Sequence, residues 1–179
     1  MKKYKVMMAF FLASEALFFV SLIVSYIYYN HGDASSTAKY LDIQKTGLFT
    51  IALILSSVTV HIAGSELDKG KRKIGWLVFT IILGSIFLVG QGIEYVHLYS
   101  LNITFKQNIF GSSFFTLTGF HGLHVLLGLI VLTIMAIMIN SGSYRKVESK
   151  AFSSAIMYWH FVDGVWIVVF SVVYLWAIA

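Results

Sequence analysis

The chain has 179 residues, of which 58% are hydrophobic and only 12% are charged, and its mean hydropathy is +0.82. A soluble domain carries about 25% charged residues, so this composition excludes a soluble fold whose small core would have to hide so many apolar side chains. The absence of cysteine excludes disulfides, thiolate metal sites and thiol nucleophiles. The net charge of +5 would suggest nucleic acid as a partner of a soluble domain. Here we attribute it to membrane topology and expect no nucleic-acid partner.

Five apolar stretches follow one another along the chain, separated by short polar connectors. Each is long enough, at about 20 residues, to cross about 30 Å of hydrocarbon as a helix. Isolated strands would leave backbone groups unpaired in lipid, so helices are the expected spanning form. The sequence therefore predicts an all-α integral membrane bundle of five transmembrane helices in a single domain over residues 1–179. The predicted spans are 6–29, 46–64, 74–97, 114–139 and 153–178.

The basic residues are distributed unequally between the two sides of the predicted bundle. Ten lie in the N-terminal segment and the second and fourth connectors, and three lie on the other side. The positive-inside rule then predicts a cytoplasmic N-terminus and a C-terminus outside. The first span is expected to be retained rather than cleaved, because Glu15 interrupts it and no small-residue cleavage site follows. The ten are Lys2, Lys3, Lys5, Lys69, Lys71, Arg72, Lys73, Arg145, Lys146 and Lys150; the three are Lys39, Lys45 and Lys106.

Several ionisable residues lie inside the predicted spans, where such groups are costly and commonly functional. At 1.5 Å per residue, His124 and Asp163 fall near the midplane, and Glu94 falls near the outer edge. Three pairs have i, i+3 spacing, which places both members toward one side of a helix. The pairs are Glu94 with His97, His121 with His124, and His160 with Asp163.

This spacing leaves three chemical interpretations open. Glu-x-x-His helices build di-metal carboxylate centres, but the carboxylates here lie at different predicted depths and are too few. A haem b would need two histidines at one depth on facing helices, which His124 with His121 or His160 could supply. The third interpretation is a set of hydrogen bonds between buried polar groups of neighbouring helices. For Glu15, a proton-linked or headgroup-linked acid and a hydrogen-bonded neutral acid are compatible alternatives.

Four blocks of sequence resemble subunit III of the haem-copper terminal oxidases, the cytochrome c and quinol oxidases. The strongest is GSSFFTLTGFHGLHV at 111–125, followed by YWHFVDGVW at 158–166, SEALFF at 14–19 and QGIEY at 91–95. They occur in the order and in the spans that this family has, and the resemblance covers nearly the whole chain. Many relatives have seven spans, so this chain resembles a short form that begins at the third of them.

The resemblance implies an accessory, non-catalytic subunit without haem, copper or other redox centres of its own. Haem and copper are expected in partner subunits I and II, with a subunit IV in some complexes, and bound phospholipid is expected on this chain. Glu15 matches the family's buried, carbodiimide-reactive acid. The other matching positions are proton- or lipid-linked polar residues within the membrane in that family. They are Glu94, His121, His124, His160 and Asp163.

The expected function is support of proton uptake and stability in a proton-pumping oxygen reductase, with cytochrome c favoured over quinol as the electron donor. The short form favours a bacterial plasma membrane. Two other classes stay open on the residues alone: a haem b membrane anchor, and a proton or ion carrier that acts by itself. The lack of an internal repeat disfavours the carrier.

Overall fold

The computed structural model describes residues 3–30, 41–69, 74–106, 109–141 and 146–175, and these ranges are mainly helical with no strand among them. The helices are α1 (Lys3–Asn30), α2 (Ile43–Asp68), α3 (Gly75–Ser100), α4 (Ile109–Asn140) and α5 (Lys146–Phe170). All five are long and apolar enough to cross a membrane. The chain is therefore an all-helical integral membrane protein.

Three of the helices, α1, α2 and α4, extend at both ends beyond the hydrophobic stretches read from the sequence. The predicted end of the fifth span, at 176–178, lies outside the described residues. The longest, α4, has 32 residues. At the start of α2, Asp42 caps the helix, its carboxylate accepting a 3.1 Å hydrogen bond from the Lys45 backbone N–H. The last turn of α5 widens into a π-helical segment, Ser171–Leu175, which hydropathy and spacing did not predict.

The helices pack so that α4 and α5 form the centre of the bundle. Helices α2 and α3 form an antiparallel hairpin, α4 contacts α1, α3 and α5, and α5 contacts α1, α2 and α4. The most apolar window of α1 has 6% of its residues buried, against 33–39% in the other four helices. Helix α1 therefore lies at the edge of the bundle and turns most of its surface toward lipid or a partner.

Trp159 on α5 occupies a tightly packed part of the core, between α3 and α4. A methyl group added at Gly84 would lie 2.8 Å from the indole ring, and one at Gly128 would lie at the same distance on the other helix. The indole N–H donates a 2.9 Å hydrogen bond to the Ser56 hydroxyl of α2. Small residues that let helices approach closely are typical of membrane bundles, and here they create the slot for one large ring.

The predicted topology rests on several residues outside the described ranges. Those that lie there are Lys2, Lys39, Lys71, Arg72, Lys73 and Arg145. The orientation of the termini therefore stays a prediction of the sequence.

Candidate functional site

Glu15 of α1 and His124 of α4 form a pair across the interface of these two helices. The Glu15 Oε2 lies 3.0 Å from His124 Nε2. Both side chains are mostly enclosed, with 24% of Glu15 and 13% of His124 exposed. The aromatic ring of Phe19 packs against the imidazole, with centroids 5.0 Å apart. The pair is thus a polar contact in an apolar setting that still has an opening to the surroundings.

The hydrogen bonds of His124 determine where the proton of this pair can lie. Its Nδ1 is 2.7 Å from the Phe120 carbonyl, and a carbonyl only accepts, so Nδ1 carries a hydrogen. In the neutral ring, Nε2 is then an acceptor, and Glu15 must be protonated to donate to it. In the charged ring, Nε2 donates to a Glu15 carboxylate. Either way one proton lies between the two groups and the pair is neutral overall.

Glu94 of α3 forms a second polar junction, near the other end of the bundle. Its Oε1 accepts a 3.1 Å hydrogen bond from the Thr46 hydroxyl of α2, and its Oε2 accepts a 2.6 Å bond from the Tyr174 hydroxyl. All three residues are buried. Tyr174 lies in the π-helical segment, so this wider turn brings the phenol to the carboxyl. The junction joins three elements through one acid.

Gln91, one turn before Glu94, begins a chain of hydrogen bonds to α4. Its Nε2 donates to the Thr118 carbonyl at 2.7 Å and to the Tyr95 hydroxyl at 3.2 Å. Thr118 Oγ1 donates to the Phe114 carbonyl, so it accepts the 2.8 Å bond from Tyr95. The amide oxygen of Gln91 faces Gly122. This arrangement clamps α3 to α4.

We expect Gly122→Ala to destabilise the protein by about 1–3 kcal/mol, as overpacking commonly does. The new methyl would lie 2.7 Å from Gln91 Oε1, and the amide cannot move away without breaking its two bonds. Thermal unfolding of the purified protein in detergent measures the effect.

Gly119→Ala is the matched control, because its methyl would make an ordinary 3.6 Å contact with Tyr95. Both changes gain the same helix propensity, about 1 kcal/mol, so only their difference reports the clash. Equal melting temperatures for the two variants would contradict the clamp.

His160 and Asp163 of α5 face α2 but have different surroundings. His160 Nδ1 lies 2.6 Å from the Ser57 hydroxyl, and its ring is 6.1 Å from that of His61. Asp163 is 5% exposed. Within the described part of the chain neither of its oxygens reaches hydrogen-bond geometry, although Ser57 lies beside it. The acid is thus enclosed with unused acceptor capacity.

His121 is the most enclosed of the predicted site residues. It is fully buried, and its ring stacks on Trp166 with centroids 4.8 Å apart and on edge against Phe87 at 5.9 Å. Neither ring nitrogen has a hydrogen-bond partner among the described residues. Although His121 and His124 are three residues apart, one packs in the aromatic core and the other meets α1.

These surroundings do not suit the metal and haem interpretations. Within the described ranges no group of three or more His, Asp or Glu side chains could hold a metal ion. For an axial ligand, His124 would have to give up its Nε2 contact with Glu15, and the ring of His121 is stacked on the Trp166 ring. The arrangement instead ties neighbouring helices together through polar and aromatic contacts.

Several partners of these groups were not singled out from the sequence. They are hydroxyl-bearing residues of α2, which form hydrogen bonds with α3 and α5 as donors or as acceptors. A signal was present, because Thr46, Thr50 and Ser57 recur at i, i+4 and i+11 on one side of α2, the spacing of a helix face. The contacts are Thr46 with Glu94, Thr50 with Trp166, Ser56 with Trp159, and Ser57 with His160.

Comparison with known proteins places the chain among oxidase subunits. Residues 1–178 match the family model of cytochrome c oxidase subunit III. The chain is 35% identical to cytochrome c oxidase subunit 3 of Corynebacterium diphtheriae, over 92% of this chain and 83% of that protein. It is 36% identical to the Synechocystis protein of that name, over 92% of this chain and 72% of that protein. It is also 33% identical to cytochrome bo(3) ubiquinol oxidase subunit 3 of Pseudomonas putida, over 92% and 82%.

Proposed function

The chain belongs to the cytochrome c oxidase subunit III family, and on that premise we propose that it is the non-catalytic subunit III of a proton-pumping oxygen reductase. It carries no redox centre of its own and works beside haem- and copper-bearing subunits I and II, with a subunit IV in some complexes. Its tasks are to stabilise the complex, to bind phospholipid and to support proton uptake. The complex reduces dioxygen to water during aerobic respiration.

The Glu15–His124 pair is the observation that carries the proton- and lipid-linked part of this proposal. It holds one proton between two groups in an apolar interface, so that a small change in surroundings moves the proton without changing the net charge. Its partial exposure gives a lipid headgroup or a water molecule a way to reach it. Glu94, His121, His160 and Asp163 act with it as polar positions within the membrane.

The orientation and the membrane follow from the same proposal. The unequal distribution of basic residues supports a cytoplasmic N-terminus and an outer C-terminus. The similarities to bacterial proteins support the bacterial plasma membrane. The relatives include oxidases of both cytochrome c and ubiquinol; we propose cytochrome c as the donor.

A tagged pull-down in mild detergent tests the proposed role. The reduced-minus-oxidised spectrum is recorded before and after the partners are stripped away. We expect haem a or haem o signals that accompany larger subunits and are lost from the stripped chain. A haem b signal that stays with this chain would support the alternative of a haem b anchor, and proton conductance by the chain alone in liposomes would support a carrier. Either result would overturn the proposal.

Glu15→Gln is expected to leave the yield of the assembled complex unchanged and to shorten its working life during turnover. The amide N–H can donate to His124 Nε2 as the protonated acid does, so the contact between α1 and α4 is kept. The amide cannot pass on a proton, so the proton-linked role is lost. The number of turnovers before inactivation measures this, at equal initial activity.

The control is Glu15→Leu, which leaves a mostly buried imidazole without its partner and should reduce assembly as well. If Glu15→Gln also fails to assemble, the carboxylate charge is needed for packing, and the proton-linked role is wrong. An unchanged turnover lifetime in Glu15→Gln would equally count against that role.

A further inference from the structure

A pocket of about 150 Å³ opens between α2 and α3, at the end of the bundle where the topology predicts the outer surface. A cavity needs about 10–15 Å³ of such volume to hold a water molecule, so the pocket is large enough to be hydrated. Phe49, Gly90 and Ile93 form its apolar part. The polar part of its lining is Asp42, Lys45, Thr46, Glu94 and His97.

The mouth of the pocket is charged and exposed. The Lys45 ammonium and the Asp42 carboxylate form a 2.7 Å ion pair, with 73% and 37% of their side chains exposed. Hydrogen bonds from Lys45 hold the pKa of Asp42 below its ordinary value, so this group is an anion at neutral pH. His97, in the last turn of α3, is also exposed. Such a mouth lies at the aqueous boundary of the membrane, because charged groups avoid hydrocarbon.

The inner end of the pocket is the Glu94 carboxyl, which is 8% exposed. Its two oxygens accept only from the hydroxyls of Thr46 and Tyr174 in the described part of the chain. The other titratable groups around it are Asp42 and Lys45 at the start of α2 and, on its own helix, Tyr95 and His97. No Lys or Arg among the described residues bonds to the carboxyl. The pocket therefore connects a buried acid without a cationic partner to the surface.

We infer that this pocket is a hydrated access site through which the Glu94 carboxyl exchanges its proton with the outer aqueous phase. The site is separate from the Glu15–His124 pair, which lies between α1 and α4. The inference deepens the proton-linked role proposed above and rests on that proposal for the side of the membrane. Its ligands are water and the proton itself.

Two neighbouring residues allow the hydration of the pocket to be measured. Both Ile93 and Gly92 are exposed, but only Ile93 lines the pocket. A side chain at Gly92 would meet nothing within 4 Å. Their depths differ by only about 1.5 Å. The chain has no cysteine, so Ile93→Cys and Gly92→Cys each introduce one thiol, which reacts as the thiolate only where water reaches it.

The intact oxidase in oriented membrane vesicles is treated with a charged, membrane-impermeant methanethiosulfonate. We expect Ile93→Cys to react at least tenfold faster than Gly92→Cys, and only from the side opposite the N-terminus. Equal rates would show that labelling follows depth rather than the pocket, and would overturn the inference. Reaction only from the N-terminal side would overturn the outer access.

The second measurement tests proton exchange at the carboxyl itself. A water-soluble carbodiimide adds a protonated carboxyl to form an O-acylisourea, and glycine ethyl ester then displaces the urea to leave an amide. We expect this label on Glu94 by mass spectrometry, its absence in Glu94→Gln, and at least a fivefold loss once Ile93→Cys has been blocked by the thiol reagent. In the Gly92→Cys protein, blocking the thiol should leave the rate of carbodiimide labelling at Glu94 unchanged.

Absence of the label on Glu94, or equal labelling in the blocked and unblocked Ile93→Cys protein, would contradict the access site. These readouts are made on this chain, so they do not depend on which haem the complex contains. A failure of the proposed function would appear instead as the absence of haem- and copper-bearing partners in the pull-down. The two failures are therefore distinguishable.

Discussion

Replacing Gly84 and Gly128 together by alanine is expected to abolish recovery of the folded protein, and either change alone should lower its stability by about 1–3 kcal/mol. Both glycines press against Trp159, which is fully buried. The ring cannot turn away easily, because its N–H is held by Ser56. Both single variants gain helix propensity, so the expected loss runs against the intrinsic preference of the helix.

A second substitution separates the ring contact from other effects of the methyl groups. Trp159→Phe removes part of the six-membered ring that both methyls would meet. We expect this substitution to restore the stability of Gly128→Ala more than that of Gly84→Ala. The methyl at Gly84 would also lie 2.9 Å from Leu129, and this contact stays.

Gly92→Ala serves as the neutral control, since its methyl would be in open space. The yield and melting temperature of the protein in detergent are compared across the series. Stability of the double alanine variant equal to that of Gly92→Ala would contradict the tight fit around the indole.

Glu94→Leu is expected to destabilise the protein by about 2–6 kcal/mol. Each of two buried hydroxyls would lose its hydrogen-bond acceptor, at a cost of about 1–3 kcal/mol. Leucine offers no acceptor to Tyr174 or Thr46, which are 0% and 6% exposed. Because Tyr174 lies in the π-helical segment, we also expect the end of α5 to loosen. Melting temperature and amide hydrogen exchange over 171–175 measure the two effects.

Glu94→Gln is the matched variant, because its amide oxygen can still accept from Tyr174. We expect it to keep most of the stability that the leucine variant loses. If the two variants have the same melting temperature, the hydrogen bonds from the two hydroxyls contribute little to stability. Apolar packing alone would then hold α2, α3 and the end of α5 together.

The sequence predicted the helices well because their signal is local. Twenty apolar residues in a row exclude most other structures in a membrane, and each of the five predicted stretches corresponds to one long helix. Family membership was predicted from four short blocks and is confirmed by the match over residues 1–178. Both inferences need only the order of residues along the chain.

The partners of the polar residues could not be predicted, because they depend on which helices are neighbours. The i, i+3 spacing suggested that His121 and His124 act together, yet one stacks on Trp166 and the other bonds to Glu15. A rotation of the helix by a few tens of degrees about its axis determines whether a side chain lies in the core or at the interface with α1. The spacing in sequence leaves that rotation undetermined.

The junction at Glu94 shows a second limit. Its bond to Tyr174 depends on the π-helical turn, which shifts the phenol relative to a regular helix. Neither hydropathy nor residue spacing predicts such a turn. The acid was identified as a site residue, whereas the geometry that satisfies it came only from the structure.

The marginal position of α1 has a consequence for biosynthesis. Among the described residues, its polar side-chain contacts with the rest of the bundle are Glu15 with His124 and Asn30 with Ser113. The two residues are separated by 109 positions in the first contact and by 83 in the second. The α2–α3 hairpin, by contrast, closes through neighbours in the chain. While the protein is being made, the hairpin can therefore fold early, and α1 must wait unpartnered in the lipid until α4 has been inserted. Long-range closure of this kind is slow, so α1 reaches its place in the bundle only after the α2–α3 hairpin has formed.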